Sequence, residues 1–364
     1  MKHVLTLLFF FLFAHLQYGQ TSNCFDLSYD RDIEGTAGLG LLDEYSVFFL
    51  GETHNIGGND LMDYALLTHL NNTQEVTHFI KEGTYSFIFL LAQYIETSDP
   101  QYLDFLGFPL PKEEREFVER LANFNKKVPE DRRIKVYGID SEPFYHLPLM
   151  LNALLYKHGN PPQIVQETFE KLKSFQAENW THFISKKEKK EIKEIWENVS
   201  PIVSANKTVF QEYLKDDLTH FMMVLDNSAT VKRSDSQLLE NFLKLQQLTG
   251  AEKFYFSYGS LHAQKKGGWL ADQINKSSLF ENKVFSIKTI YHQSTMLWGD
   301  QHLLVNTLEK VKPEEAQKVL STFDDCSDDF ALLSTMGLSY ENEFDFLLLA
   351  RNQNAITVES EKDH

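Results

Sequence analysis

The sequence has few positive charges for its length of 364 residues, and this shortage limits its partners. Lysine and arginine together number 35, against 52 aspartate and glutamate residues, so the formal net charge is -17. Nucleic-acid binding requires clustered lysine and arginine to meet the phosphate backbone. The basic run at 186–190 is interrupted by Glu188 and is typical of a solvated helix face. The composition therefore predicts no nucleic-acid partner.

Long apolar runs are missing after the first twenty residues, so we expect no later transmembrane segment. At the start, Lys2 and His3 precede the almost wholly apolar run 4–16, which has the length of a secretory h-region. We predict that residues 1–20 are a signal peptide. Its removal would leave an exported protein, periplasmic or secreted, with no stable membrane span. A retained N-terminal anchor is the alternative.

Cysteine is scarce, because the sequence contains only Cys24 and Cys326. In an oxidising compartment this pair can join the two ends of the chain, and two separate buried thiols are the alternative. Neither cysteine follows a predicted strand, so we do not expect a thiolate nucleophile. A Gly-x-Ser-x-Gly elbow and a glycine-rich phosphate loop are also missing, which removes support for serine-hydrolase and phosphate-binding mechanisms.

The sequence does contain alternating strand and helix patterns. With 42% hydrophobic residues it can form a large core. Helical periodicity covers the segments near 59–70, 85–95 and 112–125. Short apolar runs that are typical of buried strands occur at 47–51, 77–81, 134–137, 253–258, 283–291 and 344–350. This alternation predicts an α/β fold, in which helices flank a mainly parallel β-sheet.

Residues 144–250 differ from the rest because their periodicity is helical throughout, with breaks at 161–162 and near Pro201. The segment is too long for a single crossover helix. We predict a large helical insertion, lying partly over the sheet, within one α/β domain that extends over residues 21–364.

Four predicted strands end in the same way, at a glycine accompanied by an acid or a histidine. In a parallel sheet such ends lie on one edge, where ligands bind. The pattern predicts one pocket with two histidines and three carboxylates. The four endings are Gly51-Glu52-Thr53-His54, Glu82-Gly83, Gly138-Ile139-Asp140 and Gly259-Ser260-Leu261-His262.

Such a pocket supports two kinds of chemistry. A carboxylate beside a histidine orients the ring and raises its basicity, which makes a general base for water. Alternatively, imidazole nitrogens and carboxylate oxygens bind a divalent metal, for which His54, Glu82 and His262 would be the ligands. Each of these residues can instead have a purely structural role. Asp140, for example, can cap the next helix.

These motifs resemble the erythromycin esterase family, which belongs to a superfamily that also contains haem-uptake proteins of the ChaN type and TIKI-like proteases. The resemblance extends from about residue 45 to residue 293. It is carried by the four strand endings and by Arg233 followed by Leu239-Glu240-Asn241, which resembles the family's arginine-and-asparagine helix signature.

The resemblance implies a hydrolytic pocket that cleaves an ester or lactone in a small molecule. Within it, His54 would be the general base, and Glu52 and Glu82 would orient both His54 and the water. His262 and Arg233 would bind the substrate or the developing oxyanion. Substrate would also contact Asp140 and Tyr258.

Two departures from the family pattern leave other functions open. Position 259 is glycine, where the family's esterases often have a second histidine. The first motif is Gly-Glu-x-His, one residue shorter than is usual in the macrolide esterases and closer to the haem-uptake branch. A haem- or metal-binding protein without catalysis is therefore the alternative, and an inactive interaction protein is a third hypothesis.

Overall fold

The computed structural model describes residues 23–25, 42–143, 146–174, 185–228, 234–324, 326 and 329–358. The predicted signal peptide, residues 1–20, lies outside the described residues. Arg233 lies outside them as well. Among the residues that the structure describes, no helix has the length and apolar content needed to span a bilayer.

Ten strands occur in the described part of the chain. Eight form one sheet in the order β1-β9-β10-β6-β2-β5-β3-β4, and β7 and β8 form a separate hairpin. In chain order the strands are β1 (Asn23–Phe25), β2 (Val47–Glu52), β3 (His78–Lys81), β4 (Lys135–Tyr137), β5 (Phe254–Gly259), β6 (Val284–His292), β7 (Ser294–Trp298), β8 (Gln301–Val305), β9 (Phe330–Ser334) and β10 (Phe346–Arg351).

The helices of the described residues fill the connections between these strands. They are α1 (Gly58–Gln74), α2 (Tyr85–Thr97), α3 (Gln101–Asp104), α4 (Lys112–Asn125), α5 (Leu147–His158), α6 (Gln163–Lys173), α7 (Lys186–Ala205), α8 (Lys207–Leu214), α9 (Asp217–Ser228), α10 (Asp235–Thr249), α11 (Leu270–Lys276) and α12 (Pro313–Asp324). Two short 3-10 turns, Glu130–Arg132 and Thr307–Lys310, complete the set.

The sheet is mainly parallel, which confirms the predicted fold class. Strands β10, β6, β2, β5, β3 and β4 run parallel to one another, whereas β9 pairs antiparallel with β10 on one side and with the edge strand β1 on the other. All six residues of β2 are buried because helices cover both faces of the sheet. Phe48 and Leu50 pack into the larger core cluster on one face, and Val47 and Phe49 pack into the cluster on the other.

The described part of the segment predicted as a helical insertion forms the six helices α5 to α10, with a break at 159–162 as predicted, but α7 continues through Pro201, where a break was expected. Helix α10 packs directly on the sheet, where the Phe242 ring meets Phe254 and Phe256 at centroid distances of 4.9 and 5.0 Å. Helices α5 and α9 pack against α2 instead, and they extend the larger core cluster outward. Only part of this segment therefore lies against the sheet itself.

Cysteine chemistry joins the two ends of the chain. Cys326 is disulfide-bonded, and Cys24 is the other cysteine of the sequence. Of the two alternatives that the sequence left open, free thiols are therefore wrong for Cys326.

Candidate functional site

Three neighbouring strands deliver the site residues to one edge of the sheet. Strand β5 lies between β2 and β3, and Glu52 is in register with Gly259. The backbone N–H of Glu82 donates to the carbonyl of Ser257 at 3.0 Å, which fixes the end of β3 beside β5. Glu52, Gly259 and Glu82 therefore form a row at the carboxyl ends of the strands, where α/β folds bind ligands.

His54 lies between the two glutamates of this row. Its Nδ1 is hydrogen-bonded to Oε1 of Glu52, and its Nε2 lies 3.7 Å from Oε2 of Glu82. The same Glu82 oxygen accepts a hydrogen bond of 2.7 Å from the N–H of Gly259. The two glutamate side chains are 9% and 15% exposed, whereas that of His54 is 55% exposed, so the imidazole is accessible to a ligand.

Gly259 leaves the space that the His54 ring needs. A Cβ at this position would lie 3.2 Å from Nε2 of His54 and 3.6 Å from Oε2 of Glu82. A larger residue at position 259 would therefore compete with the imidazole of His54 for the same space.

A second layer of buried polar groups supports Glu52. Asn59 donates from Nδ2 to Oε2 of Glu52 and, at 2.8 Å, to the carbonyl of Thr53. Its Oδ1 accepts a hydrogen bond from the hydroxyl of Tyr291 on β6. Burial and the charge of Glu52 raise the pKa of Tyr291 far above its ordinary value, so this phenol stays protonated and donates. Asn59 is the second residue of α1, which begins at Gly58. Its side chain supports Glu52 and does not cap the helix.

Below this layer, Asp63 on α1 is fully buried against β5. It accepts hydrogen bonds from Tyr255 at 2.6 Å and from Ser257 at 2.7 Å. Burial raises the pKa of Asp63 to about 7, although Lys81 and the two hydroxyls act in the opposite direction. This carboxyl group therefore titrates near neutral pH.

Lys81 is the cation of this region. Its Nζ lies 3.4 Å from a carboxylate oxygen of Asp60 and 3.6 Å from one of Glu114. Burial lowers the pKa of Lys81, but the neighbouring carboxylates outweigh this effect and the pKa is raised. The lysine thus stays charged and balances part of the acidic lining. The cavity has a volume of about 320 Å³, and its lining includes Glu52, His54, Glu82, Asp60, Asp63, Lys81 and Glu114.

The other predicted site residues form a second group at the same strand ends. Nδ1 of His262 lies 3.0 Å from an oxygen of Asp235 at the start of α10. Tyr258 donates to Asp140 at 3.1 Å, and its ring meets the His262 ring edge-on at 5.8 Å. His262, Asp235 and Trp269 line a separate open cavity of about 490 Å³.

The two groups lie on opposite faces of β5. Ser257 contacts Asp63 on one face, Tyr258 contacts Asp140 on the other, and Gly259 again faces the first. The two groups are connected by the turn that follows β5. In this turn the N–H of His262 donates to the carbonyl of Gly259 at 2.9 Å.

This arrangement separates residues that the sequence placed in a single pocket. Glu52, His54 and Glu82 come together, whereas Asp140, Tyr258 and His262 make their own cluster. Among the described residues, ligand atoms of Glu52, His54 and Glu82 all lie within 4.8 Å of one another, a spacing at which one metal ion can be shared. This candidate metal set contains Glu52 in place of His262.

Sequence reasoning misses three buried groups that support the site: Asn59, Asp63 and Tyr291. The sequence assigns Asn59 only to the start of a helix, and its five-residue distance from His54 is the one available signal. Asp63 and Tyr291 fall within patterns that are typical of a helix and a buried strand, so their roles depend on which elements pack together.

Three solved structures share this fold. A protein from Bacillus cereus superposes with a TM-score of 0.65 at 14% sequence identity, over 93% of this chain and 97% of that chain. A succinoglycan biosynthesis protein gives a TM-score of 0.64 at 14% identity, over 93% and 96%. A mutant of the erythromycin esterase EreC in its open conformation gives 0.58 at 12% identity, over 89% and 94%.

The similarity to known proteins is structural. No family model matches the chain, and no curated protein matches it. At identities of 12 to 14%, the solved structures show that the fold is shared.

Proposed function

We propose that this protein is a hydrolase in which His54 activates water for attack on an ester or lactone of a small molecule. The observation that carries the proposal is the placement of the accessible His54 ring between two largely buried glutamates. A carboxylate that accepts a hydrogen bond from one ring nitrogen directs the lone pair of the other nitrogen toward a reactant. The fold shared with an erythromycin esterase is consistent with this chemistry.

The proposed reaction uses both ring nitrogens of His54. Glu52 accepts the Nδ1–H, so Nε2 can take a proton from a water while the water oxygen attacks the ester carbonyl. Glu82 lies on the Nε2 side and can orient this water. The imidazolium that forms is stabilised by both carboxylates, and Nε2 then returns its proton to the leaving alkoxide oxygen.

The second cluster completes the proposal as the substrate-binding side of the site. His262 is oriented by Asp235 and is partly accessible in its own cavity on the other face of β5, so it can donate to a polar group of the substrate that lies away from the reacting bond. Asp140 and Tyr258 support this side through their mutual hydrogen bond. Arg233 immediately precedes Ser234, which caps α10, and we propose the same binding role for it.

Replacement of His54 tests the function directly. We expect His54→Ala to lower kcat for 4-nitrophenyl acetate by about 10² to 10⁴, the usual contribution of a general base. The exposed His302 on β8 provides the control, since His302→Ala removes an imidazole that does not line the cavity. Equal rates for the wild type and His54→Ala, or no hydrolysis of any ester in a panel, would remove the proposal.

A bound divalent metal is a second candidate, favoured by the convergence of Glu52, His54 and Glu82. In that case His54 would be a ligand, and a metal-bound water would be the nucleophile. Titration calorimetry with Zn²⁺ and Mn²⁺, comparing the wild type with Glu82→Gln, separates the two mechanisms. Activity that a chelator removes and the metal restores would favour the metal, whereas full activity after chelation would favour the general base.

The structure gives the haem-binding alternative less support. Tyr258 is fully buried and donates to Asp140, so its hydroxyl is already used. The paired carboxylates around His54 are also not needed for haem ligation. A Soret shift with haemin that depends on His54 or His262 would nevertheless establish this function.

Export of the protein is part of the same proposal. A disulfide at Cys326 suits an oxidising compartment outside the cytosol. Mass spectrometry of the mature protein should find an N-terminus near residue 20, and a protein that still begins at Met1 would contradict signal cleavage.

A further inference from the structure

An apolar hairpin arm extends from the edge of the sheet that carries His54. The arm consists of β7 and β8, residues 294–305. It begins two residues after His292, the last residue of β6. Its strands pair only with each other in the sheet topology, with Met296 opposite Leu303 and Trp298 next to the turn. Gly299 has a φ of +59°, which suits the tight turn at the tip.

The arm exposes three large apolar side chains. Trp298 is 66% exposed, Leu303 is 41% exposed and Leu304 is 74% exposed. Other exposed apolar residues of the described chain are scattered singly, whereas these three lie within seven residues of one hairpin. Clustered exposed apolar side chains usually mark a surface that binds something.

The two faces of the arm differ in where they point. Residues opposite each other in an antiparallel pair share a face, so Met296, Leu303 and Trp298 lie on one side and Leu304 lies on the other. Met296 and Val305, at the base of the first face, pack against the larger core cluster. That cluster also contains Ile56 and covers the sheet face on which α1 and the His54 cavity lie.

Hydrogen bonds attach the arm to the rim of the cavity. The N–H of Leu297 donates to the carbonyl of Asn55 at 3.2 Å, and the N–H of Ile356 donates to the same carbonyl at 3.2 Å. Asn55 directly follows His54 in the chain, and Asn55 and Ile356 both line the cavity. Trp298 is thus one residue away from a direct backbone bond to the rim.

We infer that the Met296, Leu303 and Trp298 face of the arm binds the apolar part of the ester, so that the enzyme prefers substrates with a long hydrocarbon portion. This inference rests on the proposed hydrolase function and names its substrate class. Half of the residues that line the cavity of about 320 Å³ have ionisable side chains and only four are apolar, so it suits the reacting bond better than a long acyl chain. Asn55 lines the cavity and is hydrogen-bonded to Leu297 of the arm, so a chain that leaves the cavity beside Asn55 meets the apolar surface of the arm.

The test compares esters of different chain length. The double variant Trp298→Ala/Leu303→Ser should lower kcat/KM for 4-nitrophenyl octanoate about tenfold, equivalent to about 1.4 kcal/mol of lost apolar contact. The loss should appear mainly in KM, and kcat/KM for 4-nitrophenyl acetate should stay unchanged. Leu304→Ser, which removes a more exposed leucine from the opposite face, is the matched control and should leave both esters unaffected.

A binding measurement keeps this test independent of catalysis. Octyl 4-nitrophenyl ether cannot be hydrolysed, and calorimetry should show that the wild type and His54→Ala bind it equally while the double variant binds it about tenfold more weakly. If the wild type hydrolyses no ester, the hydrolase function is wrong. Binding of the ether would still test whether the arm binds a hydrocarbon chain. Equal ether binding by the wild type and the double variant would overturn the role of the arm.

Self-association is the competing use of the same surface. Sedimentation equilibrium of the wild type and the double variant should show the same molecular mass. A dimer that the double variant dissociates, together with unchanged chain-length preference, would assign the arm to contacts between copies of the chain and would overturn the inference.

Discussion

At the scale of single residues, the site depends on buried groups that hold charged ones in place. Glu52 can orient His54 only if its own carboxylate is held, and Asn59 provides that support by donating to it. Tyr291 in turn orients Asn59. Each of these side chains therefore acts on His54 through its neighbour.

The first residue-scale prediction concerns Asn59. Asn59→Ala removes a hydrogen bond to a charged group, which is worth about 1.5 to 3 kcal/mol, so kcat should fall about ten- to a hundredfold. KM should change little, because the side chain of Asn59 is already engaged by Glu52, Thr53 and Tyr291. Tyr291→Phe should cause a smaller loss, since Asn59 itself remains. Steady-state kinetics below the unfolding temperature of each variant measure both effects, and full activity of Asn59→Ala would exclude the supporting role.

The second residue-scale prediction concerns the pH dependence of stability. The pKa of Asp63 is raised to about 7 by burial, from an ordinary value of 3.8. Between these pH values the folded protein keeps a proton that the unfolded chain releases. This group therefore makes the free energy of unfolding fall as the pH rises from about 4 to 7.

Asp63→Asn removes this titration. Chemical denaturation at pH 5 and pH 7.5 should therefore show a smaller decrease in the free energy of unfolding for the variant than for the wild type. Other groups that titrate in this range, such as Glu142, cancel in the comparison. An identical decrease in the two proteins would show that Asp63 does not titrate there.

At the scale of elements, the close approach of strand ends and loops positions the site. Two glycines at these ends have different neighbours. A Cβ on Gly51 would lie 2.8 Å from Cβ of Ala263 and 3.0 Å from Cα of Ser260, whereas a Cβ on Gly259 would meet His54 and Glu82. The first glycine allows the backbone of two elements to pack, and the second leaves room for the imidazole.

Because of these different environments, an alanine at Gly259 should reduce activity, whereas an alanine at Gly51 should reduce stability. Gly259→Ala should push His54 aside by a few tenths of an ångström and lower kcat/KM severalfold, with little change in Tm. Gly51→Ala should reduce stability by about 1 to 3 kcal/mol, because a backbone contact cannot relax as a side chain can. Thermal unfolding and kinetics of both variants check the contrast, which would fail if both lost only stability.

The strands of the parallel core are the most predictable elements. The sequence predicts β2 at 47–51 and the structure has Val47–Glu52, and it predicts β5 at 253–258 where the structure has Phe254–Gly259. Both consist of continuous apolar and aromatic runs because both of their faces are covered. The hairpin arm is not predicted, since exposed strands do not need such runs, and β9 is missed although four of its five residues are buried and apolar.

At the scale of the whole molecule, a disulfide joins sequence positions that are far apart. The two cysteines, Cys24 and Cys326, enclose most of the chain, and a covalent link across so long a loop restricts the unfolded state strongly. In the chain-entropy model a link across about 300 residues contributes about 6 kcal/mol.

The corresponding prediction concerns reduction of this bond. Cys326→Ser, Cys24→Ser and the double variant should lower Tm by the same amount, because each removes the same link. Reductant should lower the Tm of the wild type similarly and should leave the three variants unchanged. A wild-type Tm that does not respond to reductant, or variants that differ from one another, would contradict a stabilising bridge.

The sequence by itself determined the α/β class, the main parallel strands and the ionisable residues at their ends, because burial on both faces requires apolar runs and strand ends interrupt them. Only the tertiary structure decided how those residues are grouped. Alternation along β5 sends Gly259 toward His54 and Tyr258 toward Asp140, so one expected pocket became two clusters on opposite faces. The support from Asn59 and Tyr291 also arises from packing, since 232 residues separate the two along the chain.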